Sequence, residues 1–140
     1  KEAGGVKFYN DSFSTTPDTA IAAINSFSEP LFLILGGSEK FLDYSALAQV
    51  IAAKDNISKI FLIGETQTKM NTDLLLAGVA PDKIILTAPA LEHIFEQLKT
   101  IAIPGSIVLL SPATASFDMF ENYKVRGETF KQLAAKWPNS

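Results

Sequence analysis

Leu31-Phe32-Leu33-Ile34-Leu35, Ile60-Phe61-Leu62-Ile63 and Ile107-Val108-Leu109-Leu110 are apolar at every position. A strand with one face in water alternates apolar and polar residues. A strand that is apolar throughout must be covered on both faces, as in a parallel sheet held between two layers of helices. Val6-Lys7-Phe8-Tyr9 and Ile84-Ile85-Leu86 are shorter strand candidates at comparable intervals.

The segments between these runs carry helical spacing. Thr16-Pro17-Asp18 supplies an N-cap, a proline at the first helical position and an acid in the first turn; Ala20, Ile21, Ala23, Ile24 and Phe27 follow. Asp43 is placed to cap a helix over 44–53 with a Leu47, Val50, Ile51 stripe. Residues 68–77, ended by Gly78, and 91–101, ended before Pro104-Gly105, read as two more. A last helix over 124–137 puts Val125, Phe130, Leu133, Ala134 and Trp137 on one face and stops at Pro138. Strand and helix alternate, which predicts an α/β, doubly wound (Rossmann-like) fold: a mostly parallel sheet of five to six strands with helices on both faces. With 140 residues the chain is read as a single domain, 1–140.

Composition narrows the function classes. Net charge is -3 with scattered basic residues, so the positive field that gathers nucleic acid is missing. There is no cysteine, and no apolar run approaches the roughly 20 residues needed to cross a bilayer. A cytoplasmic setting is the default, and a chain opening with Lys1 reads as a piece of a longer protein.

Open parallel sheets bind ligands beyond the carboxyl ends of their strands. Three such ends are chemically unusual: Asn10-Asp11-Ser12-Phe13-Ser14-Thr15-Thr16, Gly36-Gly37-Ser38-Glu39-Lys40, and Ser111-Pro112-Ala113-Thr114-Ala115-Ser116. In the first, hydroxyls at a helix start either form an anion site or simply cap the helix. The second is not a Walker loop, because Lys40 is followed by Phe41; Lys40 is either solvated surface or a compact cation facing a carboxylate or phosphate. In the third, Ser116 with nearby backbone N–H groups could hold a carboxylate. A nucleophilic serine is disfavoured, since no G-x-S-x-G elbow is present and the sole histidine, His93, falls in a predicted helix elsewhere. One histidine without cysteine also argues against a zinc site.

Taken in order, these loops resemble the C-terminal domain of the UDP-N-acetylmuramoyl-L-alanine:D-glutamate ligase family, within the Mur ligases. The strongest likeness runs from Leu110 through Ser116-Phe117-Asp118-Met119-Phe120 and Asn122-Tyr123 to Arg126-Gly127 and Phe130; Tyr9-Asn10-Asp11-Ser12 with Thr15, and Gly36-Gly37 with Lys40, resemble two further motifs. The resemblance implies that Thr15 and Lys40 hold one carboxylate of D-glutamate. Ser116 and the backbone N–H of Phe117 would hold the other, with the main chain of Tyr123 alongside, and Asp11 would contact the ribose of ATP. Many members carry lysine where this chain has Phe13, so no nucleotide contact is carried over to that position.

The same resemblance implies that ATP and Mg are bound mainly by a central domain and UDP by an N-terminal one, both outside this chain. ATP activates UDP-N-acetylmuramoyl-L-alanine as an acyl phosphate, which the D-glutamate amine attacks. This domain would then supply positioning, with no catalytic side chain and no metal ligand, and would not be a complete enzyme by itself. Another Mur or folylpolyglutamate-type amino-acid ligase domain is the near alternative. A stand-alone α/β small-anion-binding module is the distant one.

Overall fold

A computed structural model describes residues 2–11, 15–37, 42–86, 91–113 and 123–138, with Tyr123 described by its backbone. Six strands, β1 (Glu2–Ala3), β2 (Val6–Asn10), β3 (Leu31–Gly36), β4 (Ile57–Ile63), β5 (Ile84–Leu86) and β6 (Ile107–Leu110), form one sheet in the order β1-β2-β6-β3-β4-β5. All neighbours run parallel except β1, which returns antiparallel onto β2. Five helices connect or follow them: α1 (Pro17–Ile24), α2 (Ser45–Ala53), α3 (Gln67–Leu76), α4 (Leu91–Ile101) and α5 (Tyr123–Ala135).

The continuous apolar runs bury both faces, as their pattern requires. Leu31, Leu33, Leu35, Ile60, Leu62, Ile107 and Leu109 pack under Ala20 and Ile24 of α1, Leu47 and Ile51 of α2, and Met70 and Leu74 of α3. Their neighbours Phe32, Ile34, Phe61, Ile63, Val108 and Leu110 point the other way, onto Leu91, Ile94, Phe95 and Leu98 of α4 and Phe130, Ala134 and Trp137 of α5. Burial on this scale contributes about 25 cal/mol for each Å² of apolar surface removed from water, which is why β3, β4 and β6 occupy the interior of the sheet.

Several expectations shift in detail. α1 starts as predicted: Thr16 is its N-cap, its hydroxyl oxygen accepting from the Thr19 N–H at 3.4 Å, with Pro17 first in the helix. α2 begins at Ser45 rather than at 44, and Asp43 accepts from the Ser45 N–H and hydroxyl from just outside the helix. Those two hydrogen bonds, the backbone one foremost, hold the Asp43 carboxyl below the usual carboxylate range. α3 starts one residue before the predicted 68, α4 is as predicted, and α5 runs from Tyr123 to Ala135 instead of 124–137. On α5, Val125 and Leu133 are only half-buried, while Arg126 and Gly127 are buried.

The strand absent from the sequence reading is β1. Gly4 and Gly5 both take positive φ, 58° and 79°, between the paired residues Ala3 and Val6, the geometry of a two-residue hairpin turn. A strand of two residues carries too little periodicity to be seen.

Candidate functional site

The candidate site is built at the carboxyl ends of four adjacent strands. Sheet order makes β2, β6, β3 and β4 neighbours, so the loops that leave them emerge along one rim. Hydrogen bonds between those loops run from one strand end to the next. The Asp11 N–H donates to Leu110 O at 2.8 Å, and the Ser111 hydroxyl donates to Asp11 Oδ2 at 3.0 Å, joining β2 to β6. The Gly36 N–H donates to Pro112 O at 2.8 Å, joining β3 to β6. The Gly37 N–H donates to Thr66 Oγ1 at 3.1 Å, and the Thr66 N–H returns a bond to Gly37 O at 3.2 Å, joining β3 to β4.

Two local features make this stitching close. A Cβ on Gly36, where φ is +114°, would fall 2.1 Å from Ile63 O, so only glycine lets the end of β3 lie against the end of β4. Ala113, fully buried in the loop after β6, takes φ 70°, the left-handed region that a residue with a Cβ occupies at a cost of order 1–3 kcal/mol. Such strain persists where the surroundings over-determine the backbone.

Of the residues singled out from sequence, the structure describes Asp11 and Thr15 in full. Asp11 sits at the end of β2, bonded to the β6 loop, and Thr15 immediately precedes the N-cap of α1. Lys40, Ser116 and Phe117, with Phe13, lie outside the described residues. Tyr123 is placed by its backbone as the first residue of α5. In the chain, Gly37 at the end of β3 precedes the segment that contains Lys40, and Ala113 after β6 precedes the one that contains Ser116; β3 and β6 are adjacent in the sheet. A groove of about 460 Å³ opens beside Asp11, lined also by Tyr9, Thr19, Ser26 and Phe27. His93 is exposed on α4, on the face of the sheet that α4 and α5 cover.

Two inner residues of the rim are fully buried: Ser111, which the sequence places in a polar strand end without a role of its own, and Thr66, which the sequence reading does not single out. Gly64-Glu65-Thr66 is a fourth polar strand end, inconspicuous in sequence because the predicted helix begins only at 68. Ser111 gives a first prediction. Replacing it with alanine removes a donor to a carboxylate and is expected to cost about 1–3 kcal/mol, read as a shift in thermal midpoint; an unchanged midpoint would mean that this bond does not fasten the rim.

Comparison with known proteins settles the family. A family model described as "Mur ligase, glutamate ligase domain" matches residues 1–114. The chain belongs to the Mur ligase family. Over 137 residues it is 41% identical to the UDP-N-acetylmuramoylalanine--D-glutamate ligase of Acetivibrio thermocellus, and over 131 residues 42% identical to that of Caldicellulosiruptor bescii. These alignments take in 95% and 94% of this chain but 29% and 28% of the relatives, so the chain spans under a third of their length. Among solved structures, this Mur ligase domain superposes on MurF ligase from Thermotoga maritima in complex with ADP with a TM-score of 0.56 at 18% identity, covering 98% of this chain and 31% of that one. A domain from a candidate UDP-N-acetylmuramate:L-alanyl-gamma-D-glutamyl-medo-diaminopimelate ligase of Haemophilus ducreyi gives a TM-score of 0.58 at 14% identity, covering 95% of this chain and 96% of that one. Identities that low speak to the fold, which they share.

Proposed function

We propose that this chain is the D-glutamate-receiving domain of an ATP-dependent ligase that adds D-glutamate to UDP-N-acetylmuramoyl-L-alanine in peptidoglycan precursor synthesis. The observation that carries the reading is the rim: the loops leading to Thr15, Lys40 and Ser116 leave three neighbouring strands, tied to one another by hydrogen bonds. Two anion sites on one rim suit an amino acid with two carboxylates. Thr15 and the Lys40 ammonium hold one; Ser116 and the Phe117 N–H hold the other, with the Tyr123 main chain at the start of α5 beside them. Gripped at both ends, D-glutamate can present its amine in one direction only, which lowers the entropic barrier to attack on an acyl phosphate.

The rest of the machinery falls to the remainder of a longer, cytoplasmic protein, with an N-terminal domain for UDP and a central one for ATP and Mg. Among the described residues no three carboxylates or histidines converge on a metal position. Asp11 fits a contact to the ribose of ATP, since it is half-exposed on the rim and held by Ser111. Closure of this domain over the central one would exclude water from the acyl phosphate.

The test is a ligation assay of the full-length enzyme. Lys40→Ala is expected to raise KM for D-glutamate by about 30-fold or more, the loss of a charge-assisted hydrogen bond worth about 2 kcal/mol, with KM for ATP little changed. Faster ligation of L-lysine, diaminopimelate or L-glutamate than of D-glutamate would assign the chain to a different amino-acid ligase. Tight binding of a small anion by the chain, with no ligation, would point to a stand-alone module.

A further inference from the structure

Ser111 is fully buried at the end of β6, yet it spends its hydroxyl proton on a residue that is not buried. Side-chain hydrogen bonds go mostly to backbone or water. Here Ser111 Oγ donates instead to Oδ2 of the half-exposed Asp11, 3.0 Å away and just beyond β2. The backbone repeats the link one residue earlier, where the Asp11 N–H donates to Leu110 O at 2.8 Å. Two consecutive residues thus hold one aspartate by its main chain and by its carboxylate.

Ser111 is itself immobilised from the far side. Its N–H donates to Ile34 O of β3 at 3.3 Å, and the next residue, Pro112, accepts from the Gly36 N–H at 2.8 Å. Ala113 follows, buried and in the left-handed region. The hydroxyl is therefore fixed relative to the sheet, and so is the side from which it holds Asp11. Water satisfies a half-exposed carboxylate without help from the interior. What an interior donor adds is orientation, because the bond selects among the rotamers open to an exposed aspartate.

The carboxylate so held belongs to a residue lining the groove beside α1, with Tyr9, Thr19 and Phe27. A carboxylate offers about four acceptor positions, enough for a bond from the interior and others from a vicinal diol. An acceptor already fixed in one rotamer has less side-chain entropy to lose when a sugar hydroxyl meets it.

We propose that Ser111 is a positioning residue for the ribose of ATP, acting through Asp11. The inference rests on the reading of Asp11 given above. Ser111 does not meet the nucleotide; it sets the direction in which the Asp11 carboxylate receives the ribose hydroxyls.

The experiment is steady-state kinetics of the full-length ligase, with each of its three substrates varied in turn and with ATP replaced by dideoxy-ATP, which lacks both ribose hydroxyls. Ser111→Ala is expected to raise KM for ATP by roughly 5- to 10-fold, with the other two KM values within about twofold of the parent. With dideoxy-ATP the variant and the parent should differ by less than about twofold, because the contact that Ser111 orients is no longer made. Ser111→Thr, which keeps the hydroxyl, should recover most of the loss. On an Asp11→Ala background, Ser111→Ala should add less than about twofold.

Equal increases in all three KM values, or a loss as large with dideoxy-ATP as with ATP, would overturn the proposal by making Ser111 merely structural. Ser111→Cys, close in shape and a weak donor, carries the same test if Ser111→Ala does not fold. The two layers fail differently. An Asp11→Ala enzyme with unchanged KM for ATP defeats the ribose contact itself; a raised KM there, with no effect of Ser111→Ala or Ser111→Cys, defeats this inference alone.

Discussion

Gly36→Ala is expected to lower stability by about 3 kcal/mol or more and the thermal midpoint by about 10 °C. The added Cβ would lie 2.1 Å from Ile63 O and 3.0 Å from Ile63 N, backbone atoms of a central strand that cannot step aside as a side-chain tip could. A φ of +114° adds strain for any residue other than glycine. Relief requires the end of β3 to move away from β4, and that movement pulls on the Gly36 N–H to Pro112 O bond and the paired bonds between Gly37 and Thr66. On the function proposed above, the same substitution should therefore also raise KM for D-glutamate in the full-length enzyme beyond its effect on folding. A melt by circular dichroism or calorimetry checks the first effect. A midpoint within 2 °C of the parent, on the same scaling, would show that the two strand ends do not meet as described.

Phe8→Ala is the second large effect, at about 3–5 kcal/mol. Phe8 lies on β2 and is 3% exposed. Its ring centroid is 5.7 Å from Phe95 of α4, 6.3 Å from Phe130 of α5 and 5.2 Å from Trp137 just beyond α5. Such ring pairs contribute about 0.5–1.5 kcal/mol each beyond their buried area. The site is also hard to collapse, because α4 and α5 are separately tied to the sheet and neither can fill the void alone. Phe8→Leu, which keeps much of the volume, should cost less than about half as much. Trp137 is the only tryptophan, so its emission reports the change directly: a shift to longer wavelength is expected in Phe8→Ala and little shift in Phe8→Leu. Unchanged emission and midpoint in Phe8→Ala would mean that the cluster does not join β2 to the helices.

Gly36 holds the rim and Phe8 the core beneath α4 and α5, and the two differ in how far sequence anticipates them. Leu31 to Leu35, apolar throughout, announced a strand covered on both faces, and the structure divides those side chains between two cores. Local chemistry likewise placed the start of α1, because Thr16 and Pro17 act within one turn of their own position. The residues proposed for the site came from resemblance, whereas the contacts that join their strand ends came only from the structure. Thr66 lies two residues before the predicted helix start at 68, and Arg126, named in sequence only as part of a motif, is fully buried on α5 although its residue type is usually solvated.

What this sequence determined by itself is whatever depends on neighbours in the chain: which segments are strand or helix, which strands are buried on both faces, and which loops carry hydroxyl, ammonium and amide groups. Only the tertiary structure decided that β6, last in the chain, lies between β2 and β3, and so that the loop after it meets Asp11 on one side and Gly36 on the other. The physical reason is that periodicity reports burial, and burial is the same for any pairing of equally apolar strands. The choice of neighbour depends on hydrogen bonds and close fits between residues far apart in the chain, such as Ser111 with Asp11 and Gly36 with Ile63, which no local pattern encodes.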